Sequence, residues 1–340
     1  MMEPSVSAAI AAMPKVELHV HLETSLRLRR LLERDANPAP PGTPHLIADP
    51  SRFSGYDRLR RLRYAGRAHR IGDEAYTHDN IAAITAELIT EAAAQSIRHT
   101  EVRVGGRRGF DLLGIRGMLE AMAAGAASVR QLGVGYGAII TLVRERGPEE
   151  AERIVGEAVA CGDCHVVGVD LAGDEQNYPP ALFASAIGRA RDAGLGITVH
   201  AGEFTGPAAI WTSVYQLGAT RIGHGISAVQ DPRLLDRLRE ARVTLELCPT
   251  SNIRLGLAPS LAKHPLGDLL RAGVAVTINS DDPILLGTTL SHELEEVARA
   301  YLLGKDAILG FEIAAAQAAF LPSEARAALA HAVQTAALIS

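Results

Sequence analysis

Cysteine is scarce in this chain, with three among 340 residues. That excludes a scaffold stapled by disulfides and suits a reducing cytoplasm. No apolar run reaches the ~20 residues needed to cross a bilayer. Positive charge is not in surplus: the net charge is −5, whereas a nucleic-acid-binding chain usually shows a clustered basic excess. The apolar stretch from Ser7 to Met13 has no basic flank and no tidy small-residue cleavage site. It reads as a short helix leading into the first strand rather than an export signal. Internal repeats and low-complexity tracts are missing as well. What remains is 47% hydrophobic and 21% charged, enough to bury a large core as two ordinary domains or one large α/β domain. The expected partner is a small molecule in the cytoplasm, not nucleic acid or membrane; the sequence is silent on oligomeric state.

Two of the cysteines lie in Cys161-Gly162-Asp163-Cys164-His165, which matches the C-x-x-C-H pattern of covalent haem attachment. Such attachment normally requires export, and no export signal is present. The segment falls where a helix ends and a strand begins. The expectation is therefore a turn carrying two thiols, with a redox pair as the alternative.

Strand-like runs recur at Lys15–Leu22, Thr100–Val104, Val134–Leu142, Val166–Leu171, Gly196–Val199, Arg221–His224, Arg242–Leu247 and Ala275–Asn279. Several are short and continuously apolar, as in strands covered on both faces. Helical patterns fall between most of them: Asn80–Gln95, Leu112–Leu132, Pro148–Ala160, Pro180–Ala193 and Pro232–Ala241. Pro148, Pro180 and Pro232 suit first-turn positions, Asp231 an N-cap, and Gly194 and Gly273 helix stops. Eight strands alternating with helices predict an α/β fold, a parallel (β/α)8 TIM barrel, with a doubly wound open sheet as the alternative. The barrel is preferred because reactive residues end at least four strands, including the first and last, and only a barrel brings those ends to one mouth. The whole chain is expected to form one domain. An insertion over about residues 24–98, with helices at Leu26–Arg34 and Tyr56–Arg70, should lie over the mouth as a lid. Further helices are expected from Ser291 to the C-terminus.

Four stretches carry the chemistry. His19 and His21 are two apart on a strand and so share one face. His200 ends the fifth strand, and the small Ala201-Gly202 lets Glu203 turn back toward the mouth. His224 lies between Gly223 and Gly225, which permit close backbone approach. Asp281 and Asp282 follow the last strand, and Pro283 keeps Asp282 out of helical angles. Each has a plainer reading: core histidines, a turn, or helix caps. Together, three imidazoles and a carboxylate suit zinc or a similar divalent metal, one per chain. Such a metal could activate water for hydrolysis. Glu203 could protonate a leaving or ring nitrogen, and His224 could hold or deprotonate the water.

These residues resemble the adenosine deaminase family, in order and over nearly the whole chain. The resemblance is carried by Pro14 to Glu23, Glu101-Val-Arg103, Gly168 to Glu175, His200-Ala-Gly-Glu203, Arg221 to Gly225, Leu247 to Asn252, Thr277 to Pro283 and Ala319 to Pro322. It implies a zinc-containing barrel that hydrolyses the 6-amino group of a purine. By motif position His19, His21, His200 and Asp281 are implied metal ligands. Glu203 is the implied proton donor to N1, and His224 the residue that orients the hydroxide. Asp282 would meet N7, the Gly173 amide N3, and His21 and Glu23 would also line the substrate.

Glu23-Thr24 departs from the Asp-Gly usual at this point in adenosine deaminases, and the longer acid occurs in adenine and aminodeoxyfutalosine deaminases. Asp170-Leu-Ala-Gly-Asp-Glu175 points instead to a nucleoside. Arg52, Arg58, Arg60, Arg61, Arg63, Arg67 and Arg70 crowd the insertion, with Arg107 and Arg108 after the second strand. They are either a solvated helix face or a site for an anionic group on an elaborated nucleoside. A barrel hydrolase acting on an amide or lactone, and a non-catalytic nucleoside-binding protein, are the remaining alternatives.

Overall fold

The computed structural model describes residues 4–22, 24–36, 56–57 and 71–336. Glu23 and the arginines from Arg52 to Arg70 fall outside the described residues.

Eight parallel strands pair in sequence order, β1 Lys15–His21, β2 Ile97–Val104, β3 Gly135–Val143, β4 Val166–Ala172, β5 Gly196–Ala201, β6 Arg221–His224, β7 Thr244–Leu247 and β8 Val276–Ile278. A parallel bridge between Val20 and Asp281 joins the last strand to the first. The predicted (β/α)8 barrel is present, with strand bounds within a few residues of those expected.

Helices α1 Pro4–Ala12 and α2 Thr24–Ala36 flank β1. Helices α3 His78–Ala94 and α4 Arg107–Ser128 flank β2 and pack on each other. The outer ring continues with α5 Pro148–Ala160, α6 Ala184–Asp192, α7 Pro207–Tyr215 and α8 Pro232–Glu240. The short α9 Pro249–Arg254 and α10 Leu266–Arg271 follow β7, and α11 Pro283–Leu286 follows β8. The chain ends in α12 Leu290–Tyr301, α13 Lys305–Ala318 and α14 Ser323–Ala336. Pro148 and Pro232 open their helices, and the Asp231 side chain caps α8 by accepting from Arg233 N at 3.0 Å. The predicted helix from Pro180 is instead a 3-10 turn, Pro180–Phe183, followed by α6.

Period-2 alternation sorts the first strand. Val16 and Leu18 point outward and pack with Ala315, Ala316, Ala319 and Val333 of the C-terminal helices and their linker. Glu17, His19 and His21 occupy the alternate positions and face the barrel interior. The loop predicted to carry two thiols instead joins Cys161 and Cys164 in a disulfide, between α5 and β4. Cys248 is the free, buried third cysteine. No helix among the described residues is long and apolar enough to cross a membrane.

Candidate active site

The bridge that closes the barrel also sets the first three polar side chains. His21 N donates to Asp281 O at 2.8 Å, and Asp281 N donates to His19 O at 3.0 Å. Asp281 reaches this position with φ of 60°, and His224 holds φ of 59°. Both are left-handed conformations that non-glycine residues adopt rarely, and that often mark functional sites.

The imidazoles converge. Ring centroids lie 4.6 Å apart for His19 and His200, 5.4 Å for His19 and His21, and 5.1 Å for His200 and His224. Asp281 Oδ1 is 3.4 Å from His21 Nε2 and 3.6 Å from His19 Nε2. Glu203 Oε1 lies 3.6 Å from His224 Nε2. Gly223 makes room for this cluster: a Cβ there would stand 3.1 Å from His19 Cε1 and 3.2 Å from the His200 ring. All six residues are buried, none more than 7% exposed.

Carboxylates behind the rings fix which nitrogen faces inward. His19 Nδ1 bonds Glu246 Oε2 at 2.9 Å, and His200 Nδ1 bonds Asp170 Oδ1 at 3.0 Å. Each carboxylate accepts a hydrogen bond from Nδ1–H and leaves the Nε2 lone pair aimed into the cluster. His19 Nε2 is buried and has no hydrogen-bond partner among the described residues. One ligand atom from each of His19, His21 and His200 fits within 4.8 Å of the others. Imidazole nitrogens plus a carboxylate, with one buried nitrogen unspent and carboxylates behind, fit a divalent metal of the zinc type. Burial, then the Arg103 charge and the neighbouring rings, push His19 well below the usual imidazole range, so its lone pair stays available.

Arg103 ties the supporting carboxylates together, with Nε 3.3 Å from Asp170 Oδ2 and a short contact from Nη2 to Glu246. Glu246 also pairs with Arg221 Nε at 2.6 Å, and Arg221 continues to Glu101 at 2.6 Å. Burial raises Asp170, but His200 and Arg103 outweigh it and hold the carboxyl well below its usual range. It therefore stays ionised as an acceptor. Replacing Asp170 with Asn should weaken metal affinity by about 10–100-fold, the usual cost of losing such a partner. Competition with a chromophoric chelator measures this, and unchanged affinity would remove Asp170 from the site.

Glu175 holds the loop that carries Glu203. Its carboxylate accepts from Gly202 N at 2.8 Å, Glu203 N at 3.1 Å, Phe204 N at 3.1 Å and Thr205 Oγ1 at 2.6 Å. Arg144 anchors the neighbouring loop by donating to His200 O at 2.8 Å and Tyr178 O at 2.7 Å. Gly173, with φ of 118°, leaves space that the Glu145 side chain occupies, and Glu145 in turn contacts the Tyr56 hydroxyl. Asp282 precedes α11 but makes no side-chain cap bond, so the helix-cap reading does not hold. Arg107 faces Asp111 at 3.4 Å and Arg108 faces Asp73 at 2.6 Å.

The sequence reading missed the roles of Asp170, Glu246, Arg103 and Glu175. Asp170 and Glu246 had a signal: a single charged residue at an alternate position of an apolar strand must face the interior. Glu175 had none, because its partners are three backbone amides and the Thr205 hydroxyl of a distant loop.

The adenosine deaminase family profile matches residues 14–336. The chain belongs to the adenosine deaminase family. It is 33% identical over 330 residues to an adenosine deaminase of Klebsiella pneumoniae, covering 94% of this chain and 97% of that one. It is 34% identical over 337 residues to an aminodeoxyfutalosine deaminase of Streptomyces avermitilis, covering 96% and 92%. Among solved structures, an adenine deaminase from Arthrobacter aurescens superposes with a TM-score of 0.79 at 25% identity, covering 95% of this chain and 99% of that one. Family membership supports hydrolytic deamination, and these relatives differ in what the aminopurine carries.

Proposed function

We propose that this member of the adenosine deaminase family hydrolyses the 6-amino group of a purine nucleoside, with zinc held by His19, His21, His200 and Asp281. The carrying observation is the cluster itself. Inward Nε2 atoms, one carboxylate and a separate acid–imidazole pair, Glu203 and His224, share one buried mouth. An amide or lactone hydrolase would need the metal but not this acid set beside it. A binding protein would need neither.

A bound divalent metal would lower the pKa of its water enough to supply a hydroxide equivalent near neutral pH. The side chains then divide the remaining work. Glu203 delivers a proton at N1, which makes C6 electrophilic. His224 orients the attacking oxygen. The Gly173 amide donates to N3 and Asp282 engages N7, so the ring enters in one orientation. Glu203 and His224 face each other 3.6 Å apart, so the acid and the orienting imidazole meet at the same reacting carbon. The product is the 6-oxo purine plus ammonia.

Aminodeoxyfutalosine is the second reading. It is favoured by Glu23-Thr24 and by the Streptomyces avermitilis relative. Thr24 is buried, and its Oγ1 would stand 3.0 Å from a Cβ at Gly106, so it narrows that side of the mouth. Ammonia release from adenosine, 2′-deoxyadenosine, adenine and aminodeoxyfutalosine separates the readings. A nucleoside should exceed adenine in kcat/KM by at least about tenfold, the worth of ~1.4 kcal/mol of sugar contacts. Adenine as the best substrate would overturn the nucleoside reading. No ammonia from any of the four by zinc-loaded protein would overturn the deaminase reading.

A further inference from the structure

We propose that Asn252 and His264 are positioning residues that hold His224 as its Nε2–H tautomer, so that it serves the reaction as a hydrogen-bond donor and not as a base. The functional half rests on the deaminase reading above; the tautomer itself does not.

The argument starts at a group whose role is fixed. Leu266 is the first residue of α10, and its backbone N–H has no acceptor within its own helix. It donates to His264 Nδ1 at 3.0 Å. A backbone N–H can only donate, so Nδ1 of a neutral His264 carries no proton and Nε2 does. His264 is 3% exposed, and burial lowers its pKa to about 4, which keeps it neutral in ordinary buffers.

His264 Nε2–H therefore donates to the Asn252 side-chain atom facing it at 3.0 Å, which must be the amide oxygen. The Asn252 amide nitrogen then faces His224 Nδ1 at 3.2 Å and donates to it. His224 Nδ1 accepts, so the ring proton is on Nε2. That edge points at Glu203 Oε1, 3.6 Å away, and Asp281 Oδ2, 3.9 Å away, both acceptors. The polarity is consistent from one end of the chain to the other.

The frame around the chain is rigid. Asn252 is fully buried, and its backbone bonds Cys248 O at 3.0 Å and Leu257 N at 2.8 Å. The Tyr301 hydroxyl donates to Leu261 O at 2.7 Å and reaches His264 O at 3.0 Å. With Nε2 already protonated, neutral His224 has no lone pair toward the mouth. It can hold an attacking oxygen in place by donating, but it cannot take a proton from it at that nitrogen.

Nitrogen-15 spectra of the zinc-loaded chain labelled at histidine test this directly. His224 should show a protonated Nε2 and an unprotonated Nδ1. Asn252→Asp replaces a donor with an acceptor of the same shape and should move the proton to Nδ1. It should lower kcat by about 10²–10⁴-fold, the scale of a wrong catalytic tautomer elsewhere. KM should change by less than about threefold, because the lost contact matters at the reacting oxygen. His264→Gln still donates to Asn252 and should keep the Nε2–H signature and most of kcat. A protonated Nδ1 in the wild-type chain overturns the proposal even if Asn252→Asp fails to fold. A reversed tautomer with kcat unchanged overturns its catalytic half. A chain that deaminates nothing but shows the Nε2–H signature would sink the deaminase reading and leave the tautomer standing.

Discussion

Glu203→Gln should bind metal as the wild type does and lose about 10²–10⁴-fold in turnover, which corresponds to roughly 3–5 kcal/mol at the transition state. The substitution keeps the size of the side chain and one carbonyl oxygen. It leaves the backbone bond from Glu203 N to Glu175 intact, so the loop keeps its place. What it removes is the ability to carry a proton to the ring nitrogen and onward to the departing ammonia. Because Glu203 is not among the four residues assigned to the metal, zinc content measured on the purified variant should stay near one per chain. If turnover survives the change, the proton must come from elsewhere, and the acid role assigned to Glu203 is wrong.

Stripping the metal should be still more damaging. Dialysis against a strong chelator should abolish turnover, and added zinc should restore it. Stability should fall with activity, because the vacated groups sit on the barrel's closing seam. His19, His21 and Asp281 share that seam through their own backbone bonds. Removing a cation would take away the positive charge that the buried Asp281 carboxylate and the surrounding imidazole lone pairs would share. A ligand present at ~1,000 times its dissociation constant stabilises by about 4 kcal/mol, so the thermal midpoint should drop by several degrees on removal. A chelated protein with unchanged midpoint and full activity would dismiss the metal.

Much of this was legible before any coordinates. The eight strands announce themselves by short apolar runs between helix signals such as Asp231-Pro232 and Gly194. The site residues stand at strand ends, where a barrel collects them at one mouth. Less legible was anything that depends on a distant partner. Glu246 and Asp170 are single charges in apolar strands, and only the closed barrel sets them behind His19 and His200. His264 lies in a loop of no evident pattern, and its value appears only when Asn252 faces it. The Cys161–Cys164 loop carried too weak a signal to choose between two thiols and a disulfide. The 3-10 turn at Pro180 escaped because a proline opens either kind of helix.

The most direct test of the account follows the oxygen. Zinc-loaded protein incubated with adenosine in water enriched in oxygen-18 should release one ammonia per turnover. The 6-oxo product should carry one heavy oxygen at C6. Ammonia without label in the product, or no reaction across the whole nucleoside panel with the metal in place, would contradict hydrolysis at this site.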